Sequence, residues 1–254
     1  ILPPSPALTT TCAALVPARA GSKRIKNKNI RLLGGHPLLA YAVSSAIESG
    51  IFGEGTSAHV YVSTDSNLYA DIGRQYGAKI IMRPPEFATD TSPDYQWVKH
   101  ALEFLRSGGL QHGVEYTWEA VERARLTGGQ EFAAFSLLRP TSPFRTSDTI
   151  RRAWTRWLEK GTNYDSLRAV IKTPIHPYKM FRYEPSSSRI TPIMTHAPDW
   201  CMNGVPGHSR QYASLPTIFA QTSSLELAHT RTVFEKGSIA GDLTKFENIT
   251  LGLT

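Results

Sequence analysis

Between Arg19 and Arg31 the chain places six cations in thirteen residues, Arg19, Lys23, Arg24, Lys26, Lys28 and Arg31, with Gly21 and Ser22 among them. The run follows directly on a short apolar stretch, Cys12 to Val16, that breaks at Pro17. A buried strand feeding a basic, glycine-containing loop suits a polyanion. Main-chain N–H and ammonium groups converge there on phosphate oxygens, and the glycine lets the backbone come close. A solvated or nucleic-acid-binding surface is the competing reading of a lysine-rich run. Ile25 and Ile30, which interrupt the run, favour the phosphate loop, and Arg24, Lys26 and Arg31 are read as plain surface charge.

Two further places carry chemistry. Arg83 follows an apolar run and precedes Pro84, so its stem can pack while its head reaches a ligand or forms a structural salt bridge. Thr141 and Ser142 offer hydroxyls on a turn held rigid by Pro140 and Pro143, and Arg139 just before them adds a charge able to clamp a carboxylate. His176 reads as a packing or turn residue rather than a general base. Asp65 reads as a helix cap rather than a metal ligand.

The series Pro17-Ala18-Arg19-Ala20-Gly21-Ser22-Lys23 with Lys28-Asn29-Ile30 resembles the signature of the acylneuraminate cytidylyltransferases. Val62-Ser63-Thr64-Asp65, Arg83-Pro84, Ala88-Thr89-Asp90-Thr91-Ser92 and Arg139-Pro140-Thr141-Ser142-Pro143-Phe144-Arg145 follow in that family's order, so the resemblance runs over about residues 12 to 250. It implies transfer of CMP from CTP to a nine-carbon 2-keto sugar acid, with release of pyrophosphate. It implies that Ala18, Arg19, Ser22, Lys23, Lys28 and Asn29 hold the triphosphate, with Arg19 and Lys28 catalytic and Lys28 nearest the reacting phosphorus. Arg83 then meets the cytosine side, and Thr141, Ser142, Lys179, Arg210 and Gln211 meet the sugar acid, while Arg139 stands where many relatives have glutamine and is read, from its charge, as a further contact to the acid.

The resemblance also implies magnesium, a homodimer, and a nucleotide-diphospho-sugar-transferase-like Rossmann variant with a projecting dimerisation arm; the cysteine count and the lack of an apolar span are what read as cytoplasmic. Two departures from the family pattern stand out. Gln221-Thr222-Ser223-Ser224 replaces an asparagine-glycine-alanine run. No Asp-Ile-Asp-like pair for magnesium precedes Thr254, which leaves the metal ligands unknown. That second departure motivates an alternative, a nucleotide-binding regulatory module without turnover; a basic nucleic-acid-binding protein is the third reading.

The elements that must position these residues are legible as periodicities. Leu39, Ala42, Val43, Ala46 and Ile47 share a helical face between Pro37 and Gly50. His59 to Ser63 reads as a strand, followed by a helix that Thr64 or Asp65 caps and Gly77 ends. Ala78 to Met82 is a second strand, Trp97 to Leu105 a second helical stripe, and Glu131 to Leu138 a continuous apolar strand. Thr146 or Ser147 caps a helix carrying Ile150, Ala153, Trp154, Trp157 and Leu158, and Ser166 to Ile171 is again a strand. Such alternation predicts an α/β, doubly wound, mostly parallel sheet, with ligands beyond the carboxyl ends of its strands.

From about 172 to 215 the alternation fails among many prolines. The family's dimerisation arm and a long surface excursion are both open there. A core-like run over 217–227, a helix over 230–236 stopped by Gly237, and a last strand within 246–253 follow. Residues 106–130, with a short helix over 118–126, read as an insertion. Residues 1–11 read as a flexible leader, so that 12–254 form a single domain.

With 254 residues the chain is long enough for a substantial core. Its 28 basic against 21 acidic side chains, a net +7, favour anionic partners without choosing between nucleotide and nucleic acid. Two cysteines exclude a disulfide framework or a cysteine zinc site, and no run of about twenty apolar residues predicts a membrane span.

Overall fold

A computed structural model describes residues 11–55, 58–109, 129–160, 163–194, 205–241 and 250–253. The leader expected over 1–11, most of the insertion over 106–130 with its short helix, and the first part of the last strand lie outside the described residues. The chain forms two compact units, residues 1–169 with 223–253, and residues 170–222.

The first unit is built on a seven-stranded sheet. In chain order its elements are β1 (Cys12–Pro17), a two-residue ladder of β2 (Leu32–Leu33) and β3 (His36–Pro37), α1 (Leu38–Glu48), β4 (Val60–Thr64), α2 (Asn67–Gln75), β5 (Lys79–Met82), α3 (Asp94–Arg106), β6 (Ala134–Leu137), α4 (Ser147–Lys160) and β7 (Ser166–Lys172). Later in the chain come β10 (Phe219–His229), α5 (Thr230–Lys236) and β11 (Thr250–Leu253). The main sheet runs β11-β7-β10-β6-β1-β4-β5. β1 pairs in parallel with β4 and β6, β4 with β5, and β7 with β11, while β10 runs antiparallel to β6. The expected mostly parallel, doubly wound sheet is the one observed.

Burial on both faces explains why these strands read as continuous apolar runs rather than alternating ones. Ala14, Val16, Val60 and Val62 pack on one face with Leu39 and Val43 of α1, Tyr69 of α2 and Trp157 of α4. Ala13, Leu15, Tyr61 and Ile81 pack on the other with Trp97 and Leu102 of α3 and Val233 of α5. The period of two along β1 therefore divides one strand between two hydrophobic layers.

Several boundaries differ from those expected. Pro37 stands before α1 in extended conformation, because it pairs with Leu32 in the small ladder. β6 is shorter than Glu131 to Leu138: it begins at Ala134, opposite Cys12, and ends at Leu137. Asp65 does not cap α2: Ser66 is the residue before that helix, and Asp65 Oδ1 accepts the N–H of Ala20 at 2.9 Å. Thr146 does cap α4, its Oγ1 accepting the Thr149 N–H at 3.3 Å.

The second unit holds a hairpin of β8 (Phe181–Glu184) and β9 (Arg189–Pro192), joined to short 3-10 turns. Its anchor is Tyr178, buried and stacked on His176 with ring centroids 5.2 Å apart. His176 Nδ1 accepts the Tyr178 N–H at 3.2 Å, a turn role in place of proton transfer. Gly207 lies so close over the Tyr178 ring that an added Cβ would come within 2.5 Å of it. Among the described residues no helix is long and apolar enough to cross a membrane.

Candidate functional site

β1 lies at the point where the sheet's order divides, towards β4 and β5 on one side and towards β6 on the other. In open α/β sheets the loops leaving such a pair of strands separate and leave a crevice at their carboxyl ends. The loop after β1 is fixed at its root. Ala18 donates to the Ser63 carbonyl at 3.0 Å, Ala20 to Asp65, and the buried Asn29 side chain donates through Nδ2 to the Arg19 carbonyl at 3.1 Å. Asn27 takes a left-handed conformation, φ 54°, where the loop turns into a short 3-10 helix over 28–30. Asparagine tolerates this region better than most residues.

A cleft of about 570 Å³ opens at this edge, and every residue lining it belongs to the first unit. Arg19, Ser22, Lys23, Lys28 and Asn29 line one side, Arg83 the base, and Arg139 and Thr141 the side towards β6. Ala18 is fully buried and, like Ser142, lies outside the lining; the Ser142 N–H closes the turn onto the Arg139 carbonyl at 3.2 Å. Lys179, Arg210 and Gln211 belong to the second unit. There the Lys179 ammonium donates to the His208 and Arg210 carbonyls at 2.6 and 2.5 Å, tying that unit's own turns together.

The cations of the cleft fall into two groups. Arg19 donates to the Ala88 carbonyl and pairs with Asp90 at 2.7 Å, and Lys23 pairs with the other oxygen of Asp90 at 2.5 Å. Hydrogen bonds from Lys23 and then Arg19 hold the Asp90 carboxyl below its ordinary range, so it is ionised at neutral pH. Lys28 is half-buried, and its ammonium makes no ion pair or hydrogen bond among the described residues. Lys28 is thus a cation facing the cleft uncommitted, whereas Arg19 and Lys23 already hold a carboxylate where a phosphate would be held. Asp90→Asn is therefore expected to tighten binding of inorganic pyrophosphate about two- to fivefold, the scale of an exposed ion pair removed. Calorimetric titration measures this, and an unchanged or weaker affinity would show that Asp90 does not compete for the cradle.

The base of the cleft is more rigid. Arg83 donates through Nε and Nη2 to the hydroxyl and carbonyl of Ser63 at 3.1 and 3.0 Å, and its guanidinium lies 4.7 Å from the centre of the Trp97 ring. Burial pushes its pKa down to about 10, against the opposing charge of Asp65 and Asp94. The guanidinium keeps its charge at neutral pH and spends its donors on the fold, so neither a salt bridge nor a free head describes it.

Arg139 was expected to clamp a substrate carboxylate, but the chain supplies its carboxylates. It forks onto Asp94, with contacts of 3.3 and 2.7 Å, and also meets Glu226 at 2.9 Å. Glu226 in turn pairs with Arg168 at 2.8 Å. Burial alone opposes the charge on Arg139, yet the bonds from Asp94 and Glu226 outweigh it and raise its pKa. For Asp94, burial acts against ionisation, and Arg139 first, then Trp97, overcome it and hold the carboxyl below its ordinary range. The four side chains alternate in charge and sum to zero, which is the condition under which buried ions persist.

Sequence reasoning assigned no role to Asp90, Asp94 or Glu226. Asp90 stands inside a motif that had been singled out, which was the available signal. Glu226 lies in a strand that reads as apolar and gave none. Cys12 is buried, which pushes its thiol pKa up and removes it as a nucleophile. Among the described residues no group of three or more His, Cys, Asp or Glu is placed to hold a metal ion. The carboxylates bordering the cleft are already engaged by Arg19, Lys23, Arg139 and Trp97, so the described residues do not form a protein cage for magnesium.

Residues 13–103 match the family described as Cytidylyltransferase. The chain is 37% identical over 146 residues to the N-acylneuraminate cytidylyltransferase of Escherichia coli O18:K1:H7, covering 58% of this chain and 28% of that protein. It is 40% identical over 141 residues to the CMP-N,N'-diacetyllegionaminic acid synthase of Legionella pneumophila, covering 55% and 50%. Thus it spans half or less of the length of these curated relatives. In fold it is similar to a CMP:2-keto-3-deoxy-manno-octonic acid synthetase complexed with CTP, with TM-score 0.57, 11% identity, and 89% and 77% of the two chains covered. A 4-diphosphocytidyl-2C-methyl-D-erythritol synthase from Anaerococcus prevotii aligns at TM-score 0.53 and 8% identity, over 96% and 89%. The stretch that carries the cytidylyltransferase match, residues 13–103, holds the basic loop after β1 and the strands β1, β4 and β5 beside it, and the relatives the chain resembles include N-acylneuraminate cytidylyltransferases.

Proposed function

We propose that the protein transfers CMP from CTP to a 2-keto sugar acid of the nonulosonic class. The anomeric hydroxyl attacks the α-phosphorus, a new phosphorus–oxygen bond forms as the bond to the β-phosphate breaks, and pyrophosphate leaves while the hydroxyl proton is lost. Such a displacement needs in-line positioning and positive charge on the non-bridging and leaving oxygens. In this reading Lys28 stabilises the reacting phosphate, and Arg19 and Lys23 receive the pyrophosphate portion as Asp90 yields. Ser22 and the loop N–H groups complete the cradle, and Thr141 orients the acceptor. Arg83 holds the base side by its stacked, fixed position.

The observation that carries this is one cleft at the division of the sheet that gathers Arg19, Lys23, Lys28 and Thr141 from loops more than a hundred residues apart in sequence. Magnesium accompanying the nucleotide, a homodimer using residues of about 172–215, and a cytoplasmic location belong to the same proposal. The test is pyrophosphate release with CTP and a panel of nonulosonic acids, with and without magnesium. Release with at least one acid, and none with UTP, is the expected result. No release with any acid from folded protein would overturn the reading.

A further inference from the structure

A second cleft, of about 490 Å³, lies along α1 and beneath the turn that leads from β6 into α4. It shares no lining residue with the phosphate cleft, and all of its lining belongs to the first unit. Arg145 stands in its wall at 6% exposure. Nη1 donates to the carbonyls of Arg139 and Ser224 at 3.3 and 2.6 Å, while Nε and Nη2 have no acceptor among the described residues.

This guanidinium differs from the half-buried Arg139 and the buried Arg83. Arg139 has two carboxylates, and Arg83 has Ser63 and the face of Trp97. Arg145 has no anionic partner among the described residues, and burial, unopposed, pushes its pKa down to about 10. It is still charged at neutral pH. A buried charge without a counter-ion costs several kcal/mol, and buried N–H groups left without acceptors add to that cost. An oxyanion in the cleft removes both penalties.

The surroundings suit one. The fourteen-residue α4 begins at Ser147 on the cleft wall, so the positive end of its dipole borders the same space, although Thr146 already takes the Thr149 N–H. Ser44 and Ser147 add hydroxyls. His36, Tyr41 and Tyr76 form an aromatic wall: the His36 ring centre lies 6.4 Å from that of Tyr41 and 6.2 Å from that of Tyr76, and His36 Nδ1 meets Tyr76 Oη at 3.0 Å. The single acidic side chain in the lining, Glu48, is eight residues along α1 from Ala40, about 12 Å away along the helix axis.

We propose that this cleft binds a small ring-bearing oxyanion, its phosphate or carboxylate held by Arg145 and the start of α4 and its ring laid against Tyr41 and Tyr76. The site is separate from the transfer chemistry and stands whether or not that reading holds. Phenyl phosphate and benzoate are the probes, titrated calorimetrically into the full chain and into Lys28→Ala, Arg145→Lys and Ser147→Asp. At least one probe is expected to bind saturably, with affinity unchanged by Lys28→Ala.

Ser147→Asp places a competing carboxylate at the helix start, where aspartate is well tolerated, and should weaken binding about tenfold or more. Arg145→Lys loses the fork and should weaken it similarly; if that variant does not fold, Ser147→Asp alone carries the test. Preference for phenyl phosphate assigns a phosphate ligand, and preference for benzoate a carboxylate. No saturable binding of either probe at about 10 mM, beyond the weakest useful affinity, overturns the proposal. So does binding that Lys28→Ala abolishes and Ser147→Asp leaves intact.

Discussion

Replacing Lys28 by alanine is expected, on the proposed reaction, to lower kcat/KM for cytidylyl transfer by about 10²–10³-fold, the scale on which one pre-organised electrostatic group contributes to a transition state. The loss should fall mainly on kcat. Among the described residues Lys28 carries no ion pair that must be broken before it meets phosphate, unlike Arg19 and Lys23 with Asp90, so its charge is available as negative charge builds on the leaving oxygens. The denaturation midpoint should move no more than for an ordinary surface substitution, within about 0.5 kcal/mol, because the ammonium holds no described residue in place. Steady-state kinetics with a parallel urea titration separates the two effects. Near-normal turnover in the variant would remove Lys28 from the chemistry and leave the cleft as a binding site only.

Glu226→Gln is expected to be the most damaging single change to stability. The carboxylate is 3% exposed and stands between Arg139 and Arg168, at 2.9 and 2.8 Å. Removing its charge leaves two guanidiniums partly or wholly uncompensated beneath the cleft. Breaking a buried pair by deleting one partner costs about 3–5 kcal/mol, a large share of a typical domain's total stability of about 5–15 kcal/mol. A urea titration reads it directly. Adding Arg168→Met in the same background should cost less than the sum of the two single changes, since one stranded charge is then gone. Strict additivity would mean that the pair contributes nothing.

The same network sets a pH dependence. Asp94 has its carboxyl held below the ordinary range in the folded state. Its contribution is fully present above the unfolded pKa and is lost as pH falls through the lower folded value. Stability should therefore decline on acidification below the ordinary carboxylate range, and Asp94→Asn should flatten that part of the profile while loosening Arg139.

The sequence by itself determined the chemistry-bearing loop and the sheet that carries it. Both are local properties: an apolar run ending at Pro17, cations packed into the next thirteen residues, and helical or strand periodicity within windows of about ten residues. The helices at 38–48, 94–106 and 147–160 and the strands at 60–64, 79–82 and 166–172 follow from such windows. The position of the cleft follows from one more rule, that loops at the carboxyl ends of a divided parallel sheet converge.

Only the tertiary structure decided which charges are available to a ligand. Arg139 reads in sequence as a free clamp, and it is committed because Asp94, 45 residues earlier, and Glu226, 87 residues later, are brought against it by α3 and β10. Arg19 is occupied by Asp90 across 71 residues, while Lys28 beside it is not. Pairing between side chains so far apart depends on which strands neighbour each other and on distances of a few ångströms, because Coulomb energy and desolvation both change steeply over that range. Residue type and spacing along the chain carry neither quantity, so the inventory of charges was legible and their partners were not.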